Sequence, residues 1–267
     1  MNFKLLCSDL DGTLLTTKSD VSTATITEIE RIRKKIKIIL VSARMPSGMR
    51  YLQKRLGIEE QPIICYNGAL VLDGNKELLS VYIPLNIVQQ IYNICKTFKT
   101  EIGLYENDNW YVTTSSERVE KEIKYTKTYP SFVPASLTLS YLEKNKLGAH
   151  KLMLMGTKES SDELMPLLQQ QFGEALNIYR SNDTLIEVAP KSVSKLTAIE
   201  HLLTKDETLA DIIAFGDNYN DIAMLTNVGC GVAVGNAREE VKHISDYVTL
   251  KNTENGVAHF IREHVLI

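Results

Sequence analysis

Apolar and polar positions alternate with two different textures along this chain. Phe3-Lys4-Leu5-Leu6-Cys7 is an apolar run that predicts a short buried strand. Ser22 then caps a predicted helix reaching about residue 35, with Ile26, Ile29, Ile32 and Ile36 at helical spacing. The β-branched run at 36–41 predicts a second strand. Pro46 opens the next helix, which carries Met49, Leu52 and Leu56 on one face and stops at Gly57. Residues 62–66 read as a third strand. Strand and helix alternating at these lengths imply right-handed parallel crossovers in a doubly wound sheet.

A hairpin is expected at 69–83, turning at Asp73-Gly74. At Pro84 the texture changes. A helix to about residue 98 gives way to short alternating strands, a charged helix at 116–127, a strand within 146–156, a helix at 161–172 and strands at 175–179 and 184–188. The first texture then returns: a helix at 194–203 opened by Ser194, a strand at 211–215, and further short elements up to a closing helix at 257–266. The expected fold class is α/β, a doubly wound parallel-sheet (Rossmann-like) core built from 1–83 and 187–267. An α+β domain is inserted at 84–186.

A chain of 267 residues has room for two such domains. The net charge of −3 offers no electrostatic case for a nucleic-acid or membrane partner. No apolar run approaches a membrane span, and the chain starts directly with a strand, so neither a membrane segment nor a signal peptide is expected. Cys7, Cys65, Cys95 and Cys230 stand singly among apolar neighbours, a pattern suited to buried thiols in a cytoplasmic protein. A monomer or weak homo-oligomer is the expected state.

Chemistry enters at the end of the first strand. Asp9 and Asp11 are two residues apart, and in an extended strand such positions face the same way. Two ionised groups at the end of an apolar strand need a compensating cation, and Mg²⁺ is the natural one for carboxylate oxygens. A surface turn is the alternative for Asp-x-Asp-Gly taken alone. Ser42, Lys195 and the group Asp217, Asn220 and Asp221 also stand at strand ends or helix starts. Singly they read as a strand-end cap, a solvated lysine and a capped turn. Together, in a doubly wound sheet, they converge on one C-terminal edge. A carboxylate nucleophile with a divalent ion and a lysine is a known solution for phosphoryl transfer.

Asp9-Leu10-Asp11-Gly12-Thr13-Leu14, Ser42, Lys195 and Gly216-Asp217-Asn218-Tyr219-Asn220-Asp221 resemble, in order, the four motifs of the haloacid dehalogenase-like phosphatases. The insertion resembles the large α/β cap of the Cof-type subfamily, and the stretch 187–195 is similar to the segment that re-enters the core there. The resemblance implies that Asp9 attacks phosphorus and that Asp11 first protonates the leaving alcohol and then activates water. It implies that Ser42 binds a phosphate oxygen and Lys195 offsets the crowded negative charge. Mg²⁺ would be held by the side chains of Asp9 and Asp217 and the main-chain carbonyl of Asp11. Asn220 would reach the phosphate, and Asp221 would orient Lys195 or a metal-bound water.

Two departures stand out. Ser42-Ala43-Arg44 replaces the frequent Thr-Gly-Arg, and Lys195-Leu196 replaces Lys-Gly. Ser42 keeps the hydroxyl, while a Cβ at Ala43 narrows the backbone's approach to a phosphate. Arg44 is either a substrate contact or the partner of a surface acid. The implied substrate-binding set is therefore Ser42, Ala43, Arg44, Lys195 and Asn220. The implied activity is Mg²⁺-dependent hydrolysis of small phosphorylated metabolites, sugar phosphates above all. A phosphomutase sharing the aspartyl-phosphate and a non-catalytic receiver-like module are the alternatives. In the insertion, Tyr105, Asn107, Asp108, Trp110, His150, Lys151, Arg180 and Asn182 lie at strand edges, some of them candidates for the leaving group and most of them ordinary sheet surface.

Overall fold

The computed structural model describes residues 3–17 and 19–265. The chain forms two compact units, one made of Met1–Leu79 with Ser194–Ile267, the other of Ser80–Val193.

The first unit is built on an eight-stranded sheet. Its strands lie in the order Tyr247–Val248, Cys230–Ala233, Ile212–Gly216, Leu5–Ser8, Lys37–Val41, Ile63–Cys65, Leu70–Asp73, Lys76–Ser80. Those from Tyr247–Val248 through Ile63–Cys65 are parallel, and Leu70–Asp73 joins antiparallel. Leu5, Leu6 and Cys7 sit in the middle with no solvent exposure, which is why this strand is an unbroken apolar run rather than an alternating one. The chain winds from it in one direction through Lys37–Val41 and in the other through Ile212–Gly216. Leu5–Ser8 therefore marks the point where strand order reverses.

Helix Thr23–Ile32 packs on Ser47–Leu56 and Gly256–His264, while Lys195–Leu202 packs on Ile222–Asn227. The capping expectations for these helices hold. Ser22 Oγ accepts the Thr25 N–H at 3.1 Å, and the helix Ser47–Leu56 ends on Gly57 at φ 64°.

The second unit carries a six-stranded sheet in the order Leu176–Asn182, Leu185–Pro190, Lys151–Met155, Glu101–Glu106, Asn109–Val112, Ser131–Phe132. Three helices, Leu85–Thr97, Ala135–Asn145 and Lys158–Phe172, bury one face of it through residues such as Val88, Leu142 and Leu168. The strand Leu185–Pro190 pairs on both sides within this sheet, so the unit runs on past residue 186, where the change of texture alone would end it. Helix Ala135–Asn145 has no counterpart in the sequence reading. Its core face is Ala135, Leu139 and Leu142, but exposed Leu137 (60%) and Tyr141 (43%) blur the helical period.

On the opposite face Lys151 Nζ lies 3.2 Å from Glu187 and 4.8 Å from the centre of the Tyr105 ring. Tyr105 stacks on Trp110, both buried, and Arg180 pairs with Asp162. Tyr105, Trp110 and Lys151 are thus engaged with one another, while Arg180 is tied to the helix Lys158–Phe172. No helix of the described residues is long and apolar enough to cross a membrane. All four cysteines are buried and free, and burial pushes the Cys7 thiol up to about 12.

Candidate active site

The strand Leu5–Ser8 stops one residue short of Asp9, and the chain then enters a wide turn over Leu10–Leu14. Within it Asp11 takes φ −76°, ψ 110° and Gly12 φ 88°, ψ −7°. The period-two rule for a strand therefore does not govern Asp9 and Asp11. The turn gives them different partners: Asp9 meets a lysine and Asp11 an arginine.

Asp9 is 6% exposed, and its Oδ1 accepts a hydrogen bond from Lys195 Nζ at 2.6 Å. Its Oδ2 has no protein partner among the described residues. Lys195 is the first residue of helix Lys195–Leu202. That helix is opened by Ser194, whose Oγ accepts the Thr197 N–H at 3.2 Å. The cap fixes the helix start and so the root of the lysine. The ammonium, 1% exposed, also donates to Asp221 Oδ1 at 2.6 Å. Burial works against the charged lysine, but Asp221 and Asp9 together hold its pKa above the ordinary value.

Asp221 is fully buried. Its second oxygen accepts the N–H groups of Asp217 and Asn218 at 3.0 and 3.1 Å. Both Asp221 oxygens are therefore committed to orienting neighbours. Asp217 accepts from Thr13 Oγ1 at 3.0 Å, and its Oδ2 lies so close to Gly12 that a Cβ there would approach to 2.5 Å. Glycine at φ 88° is what lets the turn come this near.

Carboxylate oxygens of Asp9, Asp217 and Asp221 lie within 4.8 Å of one another. Three carboxylates face one ammonium here. Burial pushes the Asp9 pKa well up, against the pull of Lys195, and the Asp221 and Asp217 charges add to the rise. Burial and Asp221 raise Asp217 to about 6. This surplus of buried negative charge fits a hard divalent cation held in oxygen coordination. Both Asp221 oxygens already accept hydrogen bonds, whereas Asp9 and Asp217 each keep an oxygen with no donor among the described residues, which leaves these two the most coordination capacity to spare.

Arg44, 4% exposed, grips Asp11 with a two-pronged fork: Nε to Oδ2 at 2.7 Å and Nη2 to Oδ1 at 2.6 Å. Its Nη1 donates to Tyr51 OH at 3.0 Å and to the Gly48 carbonyl at 3.3 Å. The fork leaves each Asp11 oxygen one lone pair, and the Asp11 side chain is 51% exposed. Arg44 was expected on substrate or on a surface acid. The acid it holds is Asp11.

Ser42 is 1% exposed, and its Oγ accepts the Arg44 N–H at 3.3 Å. Its own hydroxyl proton has no acceptor among the described residues. Ala43 sits between them, half-buried. Asn220 is exposed and donates from Nδ2 to Asn67 Oδ1 at 3.0 Å.

Sequence reasoning missed several groups that hold these loops. Asn236 Nδ2 donates to the Gly12 carbonyl at 2.8 Å, Asn252 Nδ2 to the Leu15 carbonyl at 2.8 Å, and the Arg238 N–H to the Asp217 carbonyl at 2.9 Å. The one local signal was Gly235-Asn236 directly after the apolar strand at 230–234.

Comparison with known proteins shows what the chain as a whole is similar to. The family model described as haloacid dehalogenase-like hydrolase matches residues 6–261. A Haemophilus influenzae protein is 32% identical over 266 residues, 98% of both chains. The 5-amino-6-(5-phospho-D-ribitylamino)uracil phosphatase of Bacillus subtilis is 28% identical, with 97% of each chain covered. Among solved structures, a sugar phosphatase of HAD subclass IIB is similar at a TM-score of 0.79 and 26% identity, covering 99% of this chain and 100% of that one.

Proposed function

Because this chain belongs to the haloacid dehalogenase-like hydrolase family, we propose that it is a Mg²⁺-dependent phosphatase of small phosphorylated metabolites, sugar phosphates above all, acting through an aspartyl-phosphate. The observation that carries the reading is the buried Asp9 carboxylate, bound by Lys195 through one oxygen, with Asp217 beside it.

In the first step a carboxylate oxygen of Asp9 attacks phosphorus and the bond from phosphorus to the leaving oxygen breaks. Asp11, in its protonated form, gives its proton to that oxygen. In the second step Asp11 takes a proton from water, the water oxygen attacks phosphorus, and the acyl-phosphate bond to Asp9 breaks, releasing inorganic phosphate. Lys195 stands where negative charge accumulates between Asp9 and the phosphoryl group, and the Ser42 hydroxyl proton is free for a phosphate oxygen. Mg²⁺, held by Asp9, Asp217 and the Asp11 carbonyl, would supply charge neutralisation for the transferring group. Arg44 keeps the Asp11 side chain at the mouth of the site.

The test is hydrolysis of p-nitrophenyl phosphate with Mg²⁺ by the wild-type protein and by Asp9→Asn. Wild-type turnover with loss of at least about a thousandfold in the variant is expected, since the amide is no nucleophile. Retained turnover in Asp9→Asn would remove Asp9 from the role. Release of free phosphate from hexose phosphates separates a phosphatase from a phosphomutase.

A further inference from the structure

The loop after the strand Ile63–Cys65 is the most strained backbone near the site. Tyr66, Asn67 and Gly68 have φ of 52°, 55° and 111° in succession. Asparagine tolerates this region, but an aromatic residue seldom enters it, and Tyr66 does so with only 1% exposure. Such a backbone persists only where its surroundings hold it, and here three neighbours do. The Asn67 N–H donates to the Ser42 carbonyl at 2.9 Å and the Tyr66 N–H to the Arg44 carbonyl at 3.2 Å. Gly68 lies against the Ser194 carbonyl, with no room there for a Cβ. The Asn67 side chain accepts from Asn220. One short loop thus touches the loop of Ser42, the cap of the lysine helix and the loop of Asp217.

We propose, building on the phosphatase reading, that Asn67 is a positioning residue for phosphate binding. Its Oδ1 takes one hydrogen of the Asn220 amide, and this fixes the plane of that amide. The second N–H of Asn220 is then presented to a phosphate oxygen, instead of rotating freely on an exposed side chain. The left-handed backbone at 66–68 is what turns the Asn67 side chain toward Asn220 while its N–H stays on Ser42. Asn67 itself need not touch the substrate.

The test compares Asn67→Gly, Asn220→Ala and the double variant. Glycine accepts φ 55° without strain, so Asn67→Gly removes the amide and leaves the loop its conformation. Two quantities are read with Mg²⁺ present: the KM for p-nitrophenyl phosphate with kcat, and the dissociation constant of inorganic phosphate by calorimetry. Each single variant is expected to weaken phosphate binding and raise KM about tenfold, the scale of a hydrogen bond to a charged group, with kcat changed far less. The double variant is expected to match the single ones instead of multiplying them. The proposal is overturned if Asn67→Gly leaves both quantities within about twofold of wild type, or if the two substitutions multiply. A wild-type protein that binds phosphate but hydrolyses no monoester would refute the phosphatase reading, while the calorimetric constants still decide the role of Asn67.

Discussion

Lys195→Met removes the one cation that two buried carboxylates share, while keeping an unbranched stem in place. In the native protein the ammonium sits 2.6 Å from both Asp9 and Asp221. Stripping one partner from a buried ion pair costs about 3–5 kcal/mol, because a charge is left without compensation. A carboxylate can escape by taking a proton. From an unfolded pKa of about 3.9, protonation at pH 7 costs about 4 kcal/mol, and at pH 5 only about 1.5 kcal/mol. The sign follows: burial already raises the Asp9 carboxylate, and without the pull of Lys195 it is raised further in the folded state, so the folded variant binds the extra proton and loses more stability as pH rises. With about 2–4 °C per kcal/mol for a chain of this size, the midpoint should fall by about 8–16 °C at pH 7 but by about 3–6 °C at pH 5. The assay is thermal unfolding of both proteins in EDTA, which keeps divalent ions out of the cluster. Equal losses at the two pH values, or a midpoint unchanged to about 1 °C at pH 7, would refute the reasoning.

Two further outcomes can be read from single positions. Gly12→Ala places a methyl group 2.5 Å from Asp217 Oδ2 on a backbone at φ 88°, so the Mg²⁺ concentration for half-maximal phosphatase activity should rise at least about tenfold; an unchanged Mg²⁺ titration would detach Asp217 from the ion. Burial lowers His150 to about 3, and its Nδ1 accepts the Asn107 N–H at 3.0 Å, so the folded protein keeps this ring neutral. That contribution is complete above the unfolded value of about 6.5 and drains away as pH falls toward 3, by up to about 1.4 kcal/mol per unit. His150→Asn keeps an acceptor for Asn107 and should flatten the fall in unfolding midpoint between about pH 6.5 and pH 4; an unaltered slope would show that His150 does not set it.

The sheet that carries the site was legible because its signals are local. An unbroken apolar run ending in Asp9, a serine before Lys195, and a β-branched run stopping at Ser42 each follow from burial or capping within a few residues. Helix Ala135–Asn145 was not legible, since solvent-facing Leu137 and Tyr141 obscure its buried stripe. The strand Leu185–Pro190 shows the same limit at a boundary, because its membership is decided by partners at Leu152–Met155 and Leu176–Asn182.

By itself, then, the sequence determined that acids and a hydroxyl would stand at the ends of parallel strands and a lysine at a helix start, and that Asp9, Asp217 and Lys195 would share one edge. Only the tertiary structure decided which group holds which. The turn at 10–14 sends Asp11 to Arg44 instead of aligning it with Asp9, the strained loop at 66–68 brings Asn67 to Asn220, and Asn236 reaches back to Gly12 across more than two hundred residues. Periodicity records what a residue needs from its own element, water or core. The direction of a side chain on a loop depends on backbone torsions set by contacts from elsewhere in the chain, and those have no period to read.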